Sequence, residues 1–263
     1  MITEETILGQ SGLSQVSPAI REMIDAGVFY GRKQTKTNPR MKPFIITNRG
    51  GVEIIDLAKT EDGLGSALAF LKEKVRMGGL ILFVATQPAA EGIQKLASEF
   101  SFPVVGRRWI GGTLTNFKTI SKRVEYLKKL RADLAAGALQ KYTKKERLNF
   151  EREVKRLELL IGGLENMISP PEVIVVIDPH LHETAMREAR RLGIPVIAFA
   201  NTDADPDLVD HLVVGNNAAR KSIEWFFEKI AEAIREGKKE MLANPPKEEK
   251  KEDKGTHEGQ AAL

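Results

Sequence analysis

Leu80-Ile81-Leu82-Phe83-Val84-Ala85 is an unbroken apolar run followed by the turn residues Thr86-Gln87-Pro88. A strand with one wet face alternates polar and apolar residues; a continuous short run predicts a strand buried on both faces. Working outward, helical sequence follows at 91–100, then a second run, Phe102-Pro103-Val104-Val105. Three more come later: Val173-Ile174-Val175-Val176-Ile177, Ile194-Pro195-Val196-Ile197-Ala198-Phe199 and Leu212-Val213-Val214. Helical patterns at 183–192 and 218–235 separate or follow them. Strand, helix, strand at this spacing implies right-handed crossovers and a parallel sheet. The expected fold is α/β: a five-stranded, doubly wound parallel sheet. It is assembled from residues 1–117 and 169–235, with residues 118–168 inserted and a charged tail at 236–263.

The insertion has its own period. Ile120, Val124, Leu127 and Leu134 keep a heptad spacing with Arg131 at an apolar position, and Phe150, Val154, Leu157, Ile161, Leu164 and Ile168 continue it. Thr143-Lys144-Lys145-Glu146 reads as a capping box opening the second arm, and Ala135-Ala136-Gly137 as the turn region. Two such arms form an antiparallel coiled-coil hairpin about 30 Å long. Two ordinary surface helices lying on the sheet are the other reading of this pattern.

Upstream, Ser17-Pro18 opens a short helix that Gly27 ends. Pro39 and Pro43 make the basic segment 32–43 extended or looped. Phe44-Ile45-Ile46 and Val52-Glu53-Ile54-Ile55-Asp56 read as short strands about an Asn48-Arg49-Gly50-Gly51 turn, and Thr60 as the cap of a helix reaching about residue 77. At the other end, the tail from Asn244-Pro245-Pro246 mixes Lys and Glu and cannot bury apolar surface, so it is expected to be disordered when free.

Composition narrows the function. The chain has 263 residues, 42% hydrophobic and 29% charged, and no cysteine. Disulfides, zinc ribbons and thiol chemistry are therefore excluded. No run approaches the length of a membrane span, and residues 1–15 lack the features of a secretion signal, so a cytoplasmic location is expected. The net charge of +4 is unevenly placed. Residues 27–51 hold Arg32, Lys33, Lys36, Arg40, Lys42 and Arg49 with no acid; residues 100–124 hold Arg107, Arg108, Lys118, Lys122 and Arg123, again with none. With Phe29, Tyr30, Trp109 and Phe117 interleaved, these windows read as a polyanion footprint on one face of an otherwise acidic body.

Within Arg107-Arg108-Trp109-Ile110-Gly111-Gly112-Thr113-Leu114-Thr115-Asn116-Phe117-Lys118, arginines beside an indole suit phosphate gripping and base stacking, and the glycines allow close approach. Equally open is a loop whose Trp109 packs inward while its arginines are solvated. Ligands of open α/β sheets bind beyond the carboxyl ends of the strands. No glycine-rich dinucleotide fingerprint or Walker loop occurs there. Asp203, Asp205, Asp207 and Asp210 suit either Mg²⁺ or, more commonly, capping and turn roles. His180 and His182 make a weak catalytic pair, and His211 reads as structural. Gly215-Asn216-Asn217 offers amides to a phosphate, with Arg220 and Lys221 beside it.

Several of these motifs, in this order, resemble the bacterial form of the small-subunit ribosomal protein two family. They are Ala26-Gly27-Val28-Phe29-Tyr30-Gly31, Asn38-Pro39-Arg40-Met41-Lys42-Pro43, Ile54-Ile55-Asp56-Leu57, the Arg108-to-Phe117 stretch and Asp203-Ala204-Asp205-Pro206-Asp207-Leu208. The resemblance runs from about residue 16 to 233. It implies a flavodoxin-like domain with a protruding coiled-coil hairpin. It also implies a structural, non-enzymatic role on small-subunit ribosomal RNA between head and body, with late joining in assembly. The implied partners are that RNA and neighbouring small-subunit proteins, including the large messenger-binding ribosomal protein one. No membrane, small-molecule substrate, cofactor or metal is implied. Two departures stand out: the family carries histidines where this chain has Phe29 and Arg32, and lysines where it has Gln87 and Pro88. From charge and position the RNA-binding candidates are Arg32, Lys33, Lys36, Arg40, Lys42, Arg107, Arg108, Trp109, Lys118, Lys122 and Arg220. The alternative is a small-molecule or nucleotide-binding enzyme on the same sheet.

Overall fold

The computed structural model describes residues 17–243. The leader reading at 1–15 lies outside them, as does the tail beyond residue 243. The parallel sheet has five strands, β4 (Ile81–Val84), β5 (Val104–Val105), β6 (Val173–Ile177), β7 (Val196–Ala200) and β8 (His211–Val214). Their order across the sheet is β5-β4-β6-β7-β8, every pair parallel. Counted from the first strand of this sheet that is the flavodoxin-like order 2-1-3-4-5, with its switch point beside the first strand, β4. Alternate residues of each strand serve opposite cores, which is why the runs carry no polar residue.

On one face Ile81, Phe83, Val175, Ile197 and Phe199 pack with helices α1 (Pro18–Asp25), α2 (Leu57–Arg76), α3 (Gly92–Phe100) and α7 (Arg220–Ala243). On the other, Leu82, Val84, Ile174, Val176 and Ala198 pack with α4 (Phe117–Ala135), α5 (Lys144–Ile161) and α6 (Glu183–Leu192). Ser17 caps α1 by accepting from the Ile20 amide at 3.2 Å, and Gly27 ends it at φ +70°.

A second, antiparallel sheet, ordered β1-β3-β2, comprises β1 (Tyr30–Lys33), β2 (Ile45–Arg49) and β3 (Val52–Ile55). The hairpin turns at Gly50 and Gly51, both at positive φ. Strand β1 was not expected. The 34–44 segment behind it is two short 3-10 turns rather than an open loop. Its hydrogen bonds explain its course: Arg32 N donates to Thr202 Oγ1 (2.9 Å) and Asn38 N to the Thr202 carbonyl (2.8 Å). The first basic window is thereby laid across the loop after β7.

Four expectations need correction. The cap of α2 is Asp56, which accepts from the Ala58 amide; Thr60 is buried inside the helix and donates to the Val214 carbonyl at 2.7 Å. The α4 seam steps through Leu130, so the strict heptad is broken. Arg131 turns across the helical pair to Glu158 (3.0 Å) and Glu165 (2.8 Å). The second arm ends at Ile161 in a 3-10 turn; Leu164 and Met167 stay buried but Ile168 is 88% exposed. Finally, residues 236–243, assigned to the tail, are helix. Their charges are used: Lys72 pairs with Glu236 (3.0 Å) and Glu240 (2.8 Å), and Lys238 lies over Phe100 and Phe102. Gly237 lets α7 approach the Lys72 carbonyl, which an added Cβ would meet at 2.8 Å.

The Thr143–Glu146 capping box is present in both directions, and α4 and α5 form a helical hairpin about Gly137. Its seam residues Ile120, Val124, Leu127, Val154, Leu157 and Ile161 join the second core directly, so the hairpin is rooted in the sheet.

Candidate nucleic-acid interface

Both basic windows arrive at the carboxyl end of the parallel sheet. Arg107 and Arg108 follow β5, while β1 and the 34–44 segment lie on the loop after β7. Arg107 and Arg108 are exposed, as are Lys33, Lys36, Lys42, Lys118 and Lys122, and among the described residues none of these has a recorded ion pair.

The loop carrying Arg107 and Arg108 is organised by a residue that sequence reasoning missed. Glu188, on α6, is buried at 7% exposure. One of its oxygens accepts from Trp109 Nε1 (3.0 Å) and Gly112 N (2.8 Å). The other accepts from Leu114 N (3.0 Å), Thr115 N (3.1 Å) and Thr115 Oγ1 (3.2 Å). Burial pushes this carboxyl up, but the converging donors from Trp109, Gly112, Thr115 and Leu114 outweigh it and hold it below its usual range. Gly112 sits at φ +88°, which turns its amide into the cradle. Trp109 therefore packs inward by its edge while remaining half-exposed, and its arginine neighbours stay in solvent. The sequence signal was indirect: a loop of clustered amides with no acid of its own needs an acceptor from elsewhere.

Three other candidates are committed within the protein. Arg32 Nε pairs with Asp203 (2.9 Å), and its Nη2 donates to Asn217 Oδ1 (3.0 Å) and lies 3.7 Å from Asp178. The guanidinium thus ties together the loops after β6, β7 and β8. Arg40 bonds Asp205 (3.0 Å) and Asp207 (2.8 Å), which raises its pKa through the Asp205 hydrogen bond and the two charges. Arg220 pairs with Glu224 one turn on, at 2.7 Å. The acidic loop is engaged largely by the same contacts, although the buried Asp203 Oδ1 has no partner among the described residues. Asp205 also caps the 206–208 turn, and Asp210 accepts from the Val196 amide at 2.8 Å. In Gly215-Asn216-Asn217 the first two amides are turned inward, Gly215 N donating to the Ala200 carbonyl (2.8 Å) and Asn216 N to the Val28 carbonyl (3.0 Å). Asn216 Oδ1 accepts from Ala218 and Ala219, and Gly215 lies against the Phe199 ring.

At the switch point, Asp178 has φ +64° and burial pushes its carboxyl up. Gln87 donates to it at 3.3 Å. His182 is buried, which lowers its pKa and keeps the ring neutral. Its Nδ1 lies 2.9 Å from the Asp178 carbonyl, which can only accept, so Nδ1 carries the proton. Nε2 then accepts from Thr86 Oγ1 at 3.0 Å. A neutral, doubly satisfied imidazole is a structural group rather than a proton-transfer group. His180 is not among its partners.

Fold and rim together define a class of α/β protein with exposed cations at the strand ends, where an enzyme of this architecture would carry catalytic groups. The family model described as ribosomal protein S2 matches residues 23–237. Relatives named small ribosomal subunit protein uS2 agree. That of Mycobacterium leprae is 42% identical over 219 residues, 83% of this chain and 79% of the relative. Those of Lawsonia intracellularis and Thermus thermophilus are each 40% identical over 220 residues, 83% of this chain and 76% and 86% of theirs. The chain belongs to the ribosomal protein S2 family. It is a structural ribosomal protein of the cytoplasm rather than an enzyme. No helix among the described residues is long and apolar enough to cross a membrane.

Proposed function

We propose that the carboxyl rim of the sheet binds small-subunit ribosomal RNA by its phosphates, and that the chain sits between head and body of the subunit. The carrying observation is that two acid-free windows, far apart in sequence, fold onto one rim and leave Lys33, Lys36, Lys42, Arg107, Arg108, Lys118 and Lys122 exposed. Arg32 and Arg40 take supporting roles: they fix the loops that carry this charge, while Arg220 pairs within its own helix. Trp109 positions the arginine pair through Glu188. The helical hairpin, rooted in the second core, serves as a docking arm for neighbouring small-subunit proteins. The chain joins late in assembly and helps seat the large messenger-binding ribosomal protein one.

The experiment is a salt titration of binding to small subunits lacking this protein. Log affinity is expected to fall linearly with log salt, by about 0.9 per duplex phosphate neutralised. Reversing Arg107 and Arg108 to Glu lowers that slope by about 2 if each makes one phosphate contact. An unchanged slope and affinity in the folded double variant would refute the assignment.

A further inference from the structure

A cleft of about 300 Å³ opens directly over the carboxyl end of β4, where β5 departs to one side and β6 to the other. Arg107, Arg108 and Trp109 form one wall, and Leu181, His182 and Thr184 the opposite one. Thr86 closes the floor, already engaged with His182. Three properties of this cleft act together. Both its cations are exposed and without an ion pair among the described residues, as are Arg49 and Arg123, whereas Arg32, Arg40, Arg131 and Arg220 are held by carboxylates. Its indole cannot swing away, because the Trp109 ring nitrogen is held at 3.0 Å by the buried Glu188. In the same cleft Leu181 is a large apolar residue left 58% exposed.

Pinned aromatic, apolar counter-wall and unpaired guanidinium pair are the parts needed to hold a flat heterocycle with a phosphate attached. His182 is neutral and doubly satisfied, so it adds no competing charge. Ligand cavities run from about 300 to 1,000 Å³, so this cleft lies at the small end of that range, on the scale of a single nucleotide.

We propose that this cleft is a single-nucleotide site: the base lodges between Trp109 and Leu181, and its phosphate is held by Arg107 and Arg108. This rests on the RNA-binding reading and deepens it. The nucleotide is then an unpaired one turned out of the RNA, and the site reads local unstacking rather than charge alone. The same chemistry suits a free nucleoside monophosphate, and the test separates the two sources.

The full chain is titrated, at one fixed salt concentration, with an RNA duplex carrying one bulged adenosine and with the same duplex fully paired. Trp109 emission is followed in a Trp225→Phe background. Trp225 is buried, so in the unsubstituted chain the two indole N–H resonances give the same readout should that variant not fold. Stacking of one base on an aromatic predicts that the bulged duplex binds about five- to a hundredfold tighter and quenches Trp109. Thr184→Phe, at an exposed position of α6, fills the cleft without touching a charge. It removes the preference and leaves affinity for the paired duplex. Saturable quenching by adenosine monophosphate, with equal binding of the two duplexes, supports the cleft with a free nucleotide as occupant. Equal binding of both duplexes with Trp109 unquenched by either RNA or nucleotide overturns the cleft while leaving phosphate binding intact. Absence of binding to either duplex overturns the RNA reading itself.

Discussion

Replacing Glu188 by glutamine tests the account of the Trp109 loop most directly. The carboxylate accepts five hydrogen bonds, three of them from backbone amides of Gly112, Leu114 and Thr115. Glutamine keeps the shape but turns one acceptor oxygen into a donor. Two N–H groups then face an NH₂, joined by the Thr115 hydroxyl if that oxygen is the one replaced, and the remaining bonds lose their charge. A buried donor left unpaired costs about 1 to 3 kcal/mol, and a bond to a charged group contributes about 1.5 to 3. Losses inside one network are not additive, and the loop can admit water. The expected destabilisation is therefore about 2 to 4 kcal/mol. Urea unfolding reads it as a lowered midpoint at constant slope. Hydrogen exchange localises it, with protection lost at the Gly112, Leu114 and Thr115 amides. The pH dependence carries a sign. The folded carboxyl lies below its usual value of 4.5, so its ionic contribution is complete above the unfolded pKa and lost as pH falls through the folded one. The gap between parent and variant must narrow on acidification. A variant within about 0.5 kcal/mol of the parent, with all three amides still protected, would refute the reasoning.

Arg32→Met leaves Asp203 and Asp178 without their cation, at a cost of about 2 to 4 kcal/mol by thermal or urea unfolding. Asp178, already pushed up by burial, rises further, so the variant loses stability as pH increases through the folded pKa of that carboxyl. His182 is held below its usual 6.5 by burial, so its contribution is complete above that value and declines as pH falls. His182→Asn is expected to flatten the stability profile as pH falls below the usual 6.5; an unchanged slope would assign it to other groups. Thr143→Ala removes one half of the capping box and costs about 1 kcal/mol. Exchange should rise at the Glu146 and Arg147 amides, with binding to subunits unaltered.

The five parallel strands were legible because burial on both faces leaves nothing but apolar residues for a strand to use, as in Val173–Ile177. Strand β1 was not, since Tyr30–Lys33 is polar and its pairing rests on Gly31, where an added Cβ would meet the Glu53 carbonyl at 2.9 Å. The last turns of α7 looked like tail because their Lys and Glu residues nearly cancel. Their partners on α2 and α3 lie far back in the chain. Leu130 displaced Arg131 from the seam because a helix face accepts a step of three as readily as four. At the rim, charge showed which cations gather but not which are already engaged. Arg32 and Lys33 are adjacent in sequence; one is enclosed by Asp203 and Asn217 and the other faces solvent. That distinction depends on a loop after β7 that no local pattern reveals.

The long final helix also sets a timetable. Its Ile223, Phe226, Ile230 and Ile234 belong to the same core as Leu71 and Val75 of α2 and the strand residues Phe83 and Phe199. α2 and the central strands therefore emerge during synthesis with one flank of their core bare. That flank stays bare until α7 follows, at the very end of the described chain. Closing so long a loop is slow and the waiting intermediate is apolar. A chain released before residue 220 would retain every exposed cation of the rim named above and still be unable to hold the sheet that arranges them.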